Sequence, residues 1–173
     1  MKMAVLLALV LVLGHGVAGA GSTWKRFSDP VLGIEFSYPA DRTVVKGCHS
    51  SESCVALIGR PMPDSDYLIA FEVFDGDLET VAEERAVFRK RKDGWIARGR
   101  HTAHQVMPLT GPGWQGIKSI VSCGIATGQG THAGECLWAV LSTGRRSVVV
   151  DTQGIVGLDD RSRRSIESLR FTR

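Results

Sequence analysis

The chain has 173 residues, with 21 Lys and Arg against 18 Asp and Glu and a formal net charge of +3. That balance excludes nucleic acid as the expected partner, because a phosphate backbone calls for a concentrated excess of cations. The length suits one domain, and no Pro/Ser linker, internal repeat or low-complexity segment divides it.

At the N-terminus, Lys2 precedes an unbroken apolar run from Ala4 to Leu13, which Gly14, His15 and Gly16 end. Ala18-Gly19-Ala20 then supplies the small-x-small pattern that signal peptidase reads. Residues 1–20 are expected to be a secretory signal cleaved after Ala20, and residues 21–173 a single domain in the periplasm or secreted. The apolar run is too short for a stable membrane anchor, which needs about 20 apolar residues.

Strand signals follow. Residues 24–27 form a short strand. In residues 33–38 (GIEFSY), Ile34, Phe36 and Tyr38 alternate with Glu35 and Ser37, and Pro39 ends the run. Residues 54–58 (CVALI) and 67–74 (YLIAFEVF) are apolar and β-rich. Between them, residues 61–66 (PMPDSD) read as a turn held by Asp64 and Asp66. One long helix is expected next. Asp77 is its N-cap, Leu78, Val81, Ala82 and Ala86 recur at helical spacing, Arg89-Lys90-Arg91-Lys92 load the last turn, and Gly94 closes it. Residues 114–126 and 135–141 form a hairpin, and residues 146–152 (RSVVVDT) add a third strand after the Ser142-Thr143-Gly144 turn. Asp159 or Asp160 caps a short final helix, with Ile166 and Leu169 facing inward. Strands in runs with segregated helices predict an α+β sandwich: an antiparallel β-sheet with one long central helix and a short C-terminal helix.

All four cysteines follow the expected cleavage site. An even count in an exported chain reads as two disulfides, with three connectivities open. The local pairs are favoured. Cys48 and Cys54 close a polar loop, HSSES, and Cys123 and Cys136 flank a Gly-rich hairpin centre nearly symmetrically. A four-thiolate zinc site would need closer C-x₂₋₄-C spacing.

The opening Phe27-x-x-Pro30-x-x-Gly33-Ile34-x-Phe36-Ser37-Tyr38-Pro39 resembles the entry of the PsbP-like (Mog/PsbP) superfamily, in its bacterial envelope branch. The tail from Ser165 to Phe171 is similar to the helix-to-aromatic ending of many members. Two features depart from the pattern. Ala40-Asp41-Arg42 stand where many relatives carry Trp after Tyr-Pro, and the two cysteine pairs are not a general family feature. The resemblance implies a PsbP-like sandwich that acts by binding partners.

No catalytic motif, cofactor or metal site is expected. A G-x-S-x-G elbow and the phosphate-loop patterns are absent. His101-x-x-His104 could offer two imidazoles, but it lacks the further ligands that zinc needs. Candidate partner-binding residues remain: Trp95, Arg89, Lys90 and Arg91 as a basic and aromatic group, Trp114 at a loop entering its strand, Asp64 and Asp66 in the turn, and His132 at the hairpin tip. Each also has a structural reading. The basic run can complement a helix dipole, and the Trp114 ring can fold over a sheet edge. Arg161, Arg163 and Arg164 form a second basic group, which would merge with the first if the two helices packed side by side.

The expected function is non-enzymatic protein binding, for example as an inhibitor or immunity protein against an envelope-targeted toxin. Two alternatives stay open. One is an envelope hydrolase acting on cell-wall or lipid substrate with His101 or His104 as base. The other is an accessory subunit binding anionic polymer or lipid through a basic patch.

Overall fold

The computed structural model describes residues 23–59, 69–100, 102–127, 130–152 and 159–172, with the backbone alone for 125–127 and 130–133. The expected signal peptide (1–20), Asp64, Asp66 and His101 lie outside the described residues, as does the side chain of His132. In chain order the elements are β1 (Trp24–Asp29), β2 (Ile34–Pro39), β3 (Thr43–Cys48), β4 (Ser51–Ile58), β5 (Ile69–Asp75), α1 (Leu78–Arg85), β6 (Phe88–Arg91), β7 (Gly94–Arg98), β8 (Ala103–Gln105), β9 (Met107–Gly111), β10 (Trp114–Thr127), β11 (Gly130–Ser142), β12 (Arg146–Thr152), α2 (Asp160–Glu167) and β13 (Arg170–Phe171).

A seven-stranded antiparallel sheet, ordered β3-β4-β5-β12-β11-β10-β9, forms the centre. Its middle strand, β12, is the VVV run, which must be apolar because it is covered on both sides. Val148 and Val150 enter one hydrophobic core and Val149 the other. The first core lies under α2 and the three-stranded sheet β1-β2-β13, and packs Phe36, Phe71, Leu141, Ile166 and Leu169. Phe36 stacks on Phe71 with ring centroids 4.4 Å apart, and burial of each ring stabilises by about 1.5–3 kcal/mol. The second core lies under α1 and the sheet β6-β7-β8, and packs Val81, Phe88, Ala97, Val121 and Val140. The α+β antiparallel architecture expected from the element order is therefore present, as a central sheet covered on both faces.

The expected long central helix is not. α1 has eight residues and ends at Arg85, and Ala86 already adopts extended backbone. Asp77 caps it as expected by accepting from the Thr80 N–H at 2.8 Å. That contact holds the Asp77 carboxyl below its usual range. The Arg89–Lys92 run leaves the helix because Phe88 and Ala97 are cross-strand partners, both fully buried, so tertiary burial favours a hairpin. Gly94, with φ of 129°, turns that hairpin where a helix stop was expected.

α2 begins where expected. Asp159 accepts from the Ser162 N–H at 2.5 Å and pairs with the buried Arg42 at 2.9 Å. Burial works to raise the Asp159 carboxyl, but the Ser162 contacts and Arg42 outweigh it and hold it below the usual range. α1 and α2 pack on opposite faces of the central sheet, so the two basic groups do not merge.

Candidate functional site

The β3–β4 connection builds the site. Cys48 pairs with Ser51, leaving His49 and Ser50 as a two-residue hairpin loop, both left-handed at φ of 50° and 60°. This loop class takes positive φ at both positions and normally recruits Asn and Gly. Here neither residue is Gly, and the turn is held by the Cys48–Cys54 bridge, whose Cα atoms are 5.2 Å apart. Gly47, at φ of 80°, absorbs a register shift between Lys46 and Cys48.

The bridge folds this loop over the central sheet. Alternation assigns a single face to the cross-strand series Val45, Ala56, Ala70, Asp151, Trp138 and Ser119, each residue paired with the next. His49 reaches over that face, and its Nε2 lies 3.4 Å from Asp151 Oδ1. The two small side chains, Ala56 and Ala70, lie in the same series between β3 and Asp151. A cleft of about 350 Å³ opens beside the loop, lined mainly by Val45, Gly47, His49, Ser50, Ala56 and Ile58.

The second cysteine pair, Cys123–Cys136, has Cα atoms 5.9 Å apart. Cys136 lies two residues from Trp138, and Cys123 two residues from Val121, which pairs with Cys136. Both bridges therefore sit on the His49–Asp151 face, one towards each end of it. Both pairs are the local ones favoured from the sequence.

The candidate residues separate in space. Trp114 is 5 % exposed, and its Nε1 donates to the Leu169 carbonyl at 2.6 Å. Its ring is a core element, which corrects the reading of an exposed binding anchor. The reason is Gly111, its cross-strand partner: a Cβ there would stand 2.0 Å from the ring, so the glycine leaves space that the indole fills. Trp95 is half-buried under Lys90, whose Nζ lies 5.8 Å from the ring centroid and pairs with Glu79. Arg89 donates to the Glu83 and Phe88 carbonyls at 2.5 Å, and Arg91 is exposed. His104 Nε2 lies 3.2 Å from Thr102 Oγ1 and 3.4 Å from Ser122 Oγ. Among the described residues, no group of three or more His, Cys, Asp or Glu is placed to hold a metal ion.

No family model matches the chain, and no curated protein matches it. Solved structures do. The chain is similar to cyanobacterial PsbP (CyanoP) from Synechocystis sp. PCC 6803 at 13 % identity and TM-score 0.47, covering 90 % of this chain and 96 % of that one. It is similar to the Ran-binding protein Mog1p of Saccharomyces cerevisiae at 7 % identity and TM-score 0.44, covering 88 % and 97 %. It is also similar to a Bacteroides thetaiotaomicron protein at 14 % identity and TM-score 0.44, covering 86 % of this chain and 48 % of that one. The likeness is one of fold alone, and neither partner nor activity follows from it.

His49 and Asp151 had no assigned role in the sequence. Two weak signals were available. His49 lies inside a loop closed by two cysteines, and Asp151 is the acidic residue directly after the Val148–Val150 run. Neither reveals that the loop folds over the sheet as far as β12.

Proposed function

We propose that the chain is an exported, non-enzymatic domain that binds another protein through the face carrying the His49 loop, as an inhibitor or immunity protein against an envelope-targeted toxin would. The observation that carries this reading is the placement of both cysteine bridges on that face, one of them closing the loop above the cleft. A surface ordered before binding loses less conformational entropy on association. Val45, 39 % exposed at the cleft, offers an apolar contact beside backbone on an outer strand of the central sheet. The test places a photo-crosslinking amino acid at Val45 of the oxidised protein in its native envelope. A discrete protein adduct, absent when the crosslinker replaces Lys25, supports the reading. Identical adducts from both positions, or none, count against it.

One observation favours the hydrolase alternative. Ser122 Oγ and His104 Nε2 lie 3.4 Å apart, an arrangement that hydroxyl activation by a base requires. Against it, His104 Nε2 also faces the Thr102 hydroxyl at 3.2 Å and the Ser122 N–H at 3.4 Å, which compete for the same ring nitrogen. Turnover of ester or cell-wall substrates that is abolished by both Ser122→Ala and His104→Ala would establish it.

A further inference from the structure

The small sheet β6-β7-β8 has two faces. Phe88 and Ala97 pair across strands and are fully buried, which fixes the inner face. Alternation then puts Arg89, Arg91, Ile96 and Arg98 on the outer face, with Ala103 and Gln105 of β8 paired beside them. No Asp or Glu occupies any of these positions. Arg91 and Arg98 are exposed, and among the described residues neither has a carboxylate partner.

Several other cations of the two basic groups are engaged. Lys90 faces inward to Glu79. On α2, Arg161 pairs with Asp41, Arg163 pairs with Asp160 at 2.8 Å, and Arg164 lies over the Trp24 ring at 4.1 Å. The outer edge of β6 is also occupied: the Lys90 N–H donates to Glu83 Oε1 at 2.9 Å, and Arg89 bonds the Glu83 and Phe88 carbonyls. Strand addition at that edge is blocked. The flat outer face is what remains available.

We propose that this face is the contact surface for an acidic face of a partner protein. Arg91 and Arg98, on neighbouring strands, present guanidinium forks on one face that carboxylates of an acidic surface can pair. The half-buried Ile96 sits among them, and an apolar centre ringed by Arg is the pattern of protein interfaces. An anionic bilayer would instead favour exposed aromatic side chains, whereas Trp95 lies on the inner face beside Lys90.

This inference rests on the protein-binding reading, but its test does not use the His49 cleft. The probe is poly-L-glutamate, set against phosphatidylglycerol vesicles, with the oxidised protein at low salt. Arg91→Glu/Arg98→Glu is expected to weaken poly-L-glutamate binding about tenfold, while Lys25→Glu/Arg163→Glu, of equal net charge, leaves it within about twofold. Equal weakening by both variants overturns the proposal, because binding would then follow net charge alone. Vesicle binding that Arg91→Glu/Arg98→Glu abolishes while poly-L-glutamate binding persists also overturns it, in favour of a lipid surface. Either failure leaves the crosslink expected at Val45 untouched, so the two readings fail separately.

Discussion

The Trp114 indole donates its N–H to the Leu169 carbonyl at 2.6 Å, tying the start of the longest strand to the segment leaving the last helix. Both residues are buried, so the bond has no water to replace it. Trp114→Phe keeps most of the apolar area but orphans the Leu169 carbonyl, at an expected cost of about 1–3 kcal/mol. Trp114→Ala adds a cavity and should cost about 3–5 kcal/mol. Urea unfolding midpoints of the two variants check the order.

Arg42 is a buried charge whose side chain is 5 % exposed, held by Asp159 at 2.9 Å and Ser162 Oγ at 2.9 Å. Asp159→Ala removes the ion partner and the α2 N-cap together. The expected loss is about 3 kcal/mol or more, dominated by the stranded guanidinium. Adding Arg42→Met should recover part of that loss, because the stranded charge is then gone, and thermal unfolding of the single and double variants measures the recovery.

Acid should weaken the fold through Asp29. This residue is 2 % exposed, pairs with Lys46, and accepts the Val31 and Leu32 N–H groups at 2.8 and 3.0 Å. Lys46, then those backbone donors, hold its carboxyl below the usual carboxylate range. A folded pKa below the unfolded one gives stability that is fully present above about pH 4 and is lost as pH falls towards the folded value. Asp29→Asn should be less stable than wild type at pH 7, and the gap should narrow by pH 3. Denaturant midpoints at the two pH values test the sign.

The cysteine pairs should differ in weight. Cys123–Cys136 closes a separation of 13 residues and Cys48–Cys54 one of 6. Loop-closure entropy gives about 3 kcal/mol for the first and about 2 kcal/mol for the second. Replacing Cys48 and Cys54 together by Ala should cost less stability, yet should remove the adduct expected at Val45, because His49 and Ser50 lose the bridge that holds their left-handed turn. A native-strength crosslink in that variant would separate the bridge from binding.

Local chemistry was enough to read much of the architecture. Period-two alternation marked β2, and the strand expected at 146–152 is β12 with the bounds observed. The caps at Asp77 and Asp159 follow from a carboxylate beside free N–H groups, a purely local fit. Nearness in sequence favoured the two observed cysteine pairs. The helix ending was misread because Arg89–Lys92 suits a helix C-terminus and a hairpin strand equally well. The Asp93-Gly94 dipeptide is a hairpin signal that favoured the second. What settled it was burial of Phe88 against Ala97, a contact across the hairpin that no local pattern encodes.

The sequence by itself determined the mixed strand-and-helix composition and the Asp77 cap, and it favoured the local cysteine pairs, because each depends on a short stretch of chain. Only the tertiary structure decided which faces look outward. It put the two basic groups on opposite sides of the central sheet, buried Trp114 against Leu169, and brought His49 over Asp151. Those outcomes depend on strand order and register, through which residues about a hundred positions apart come to share a face.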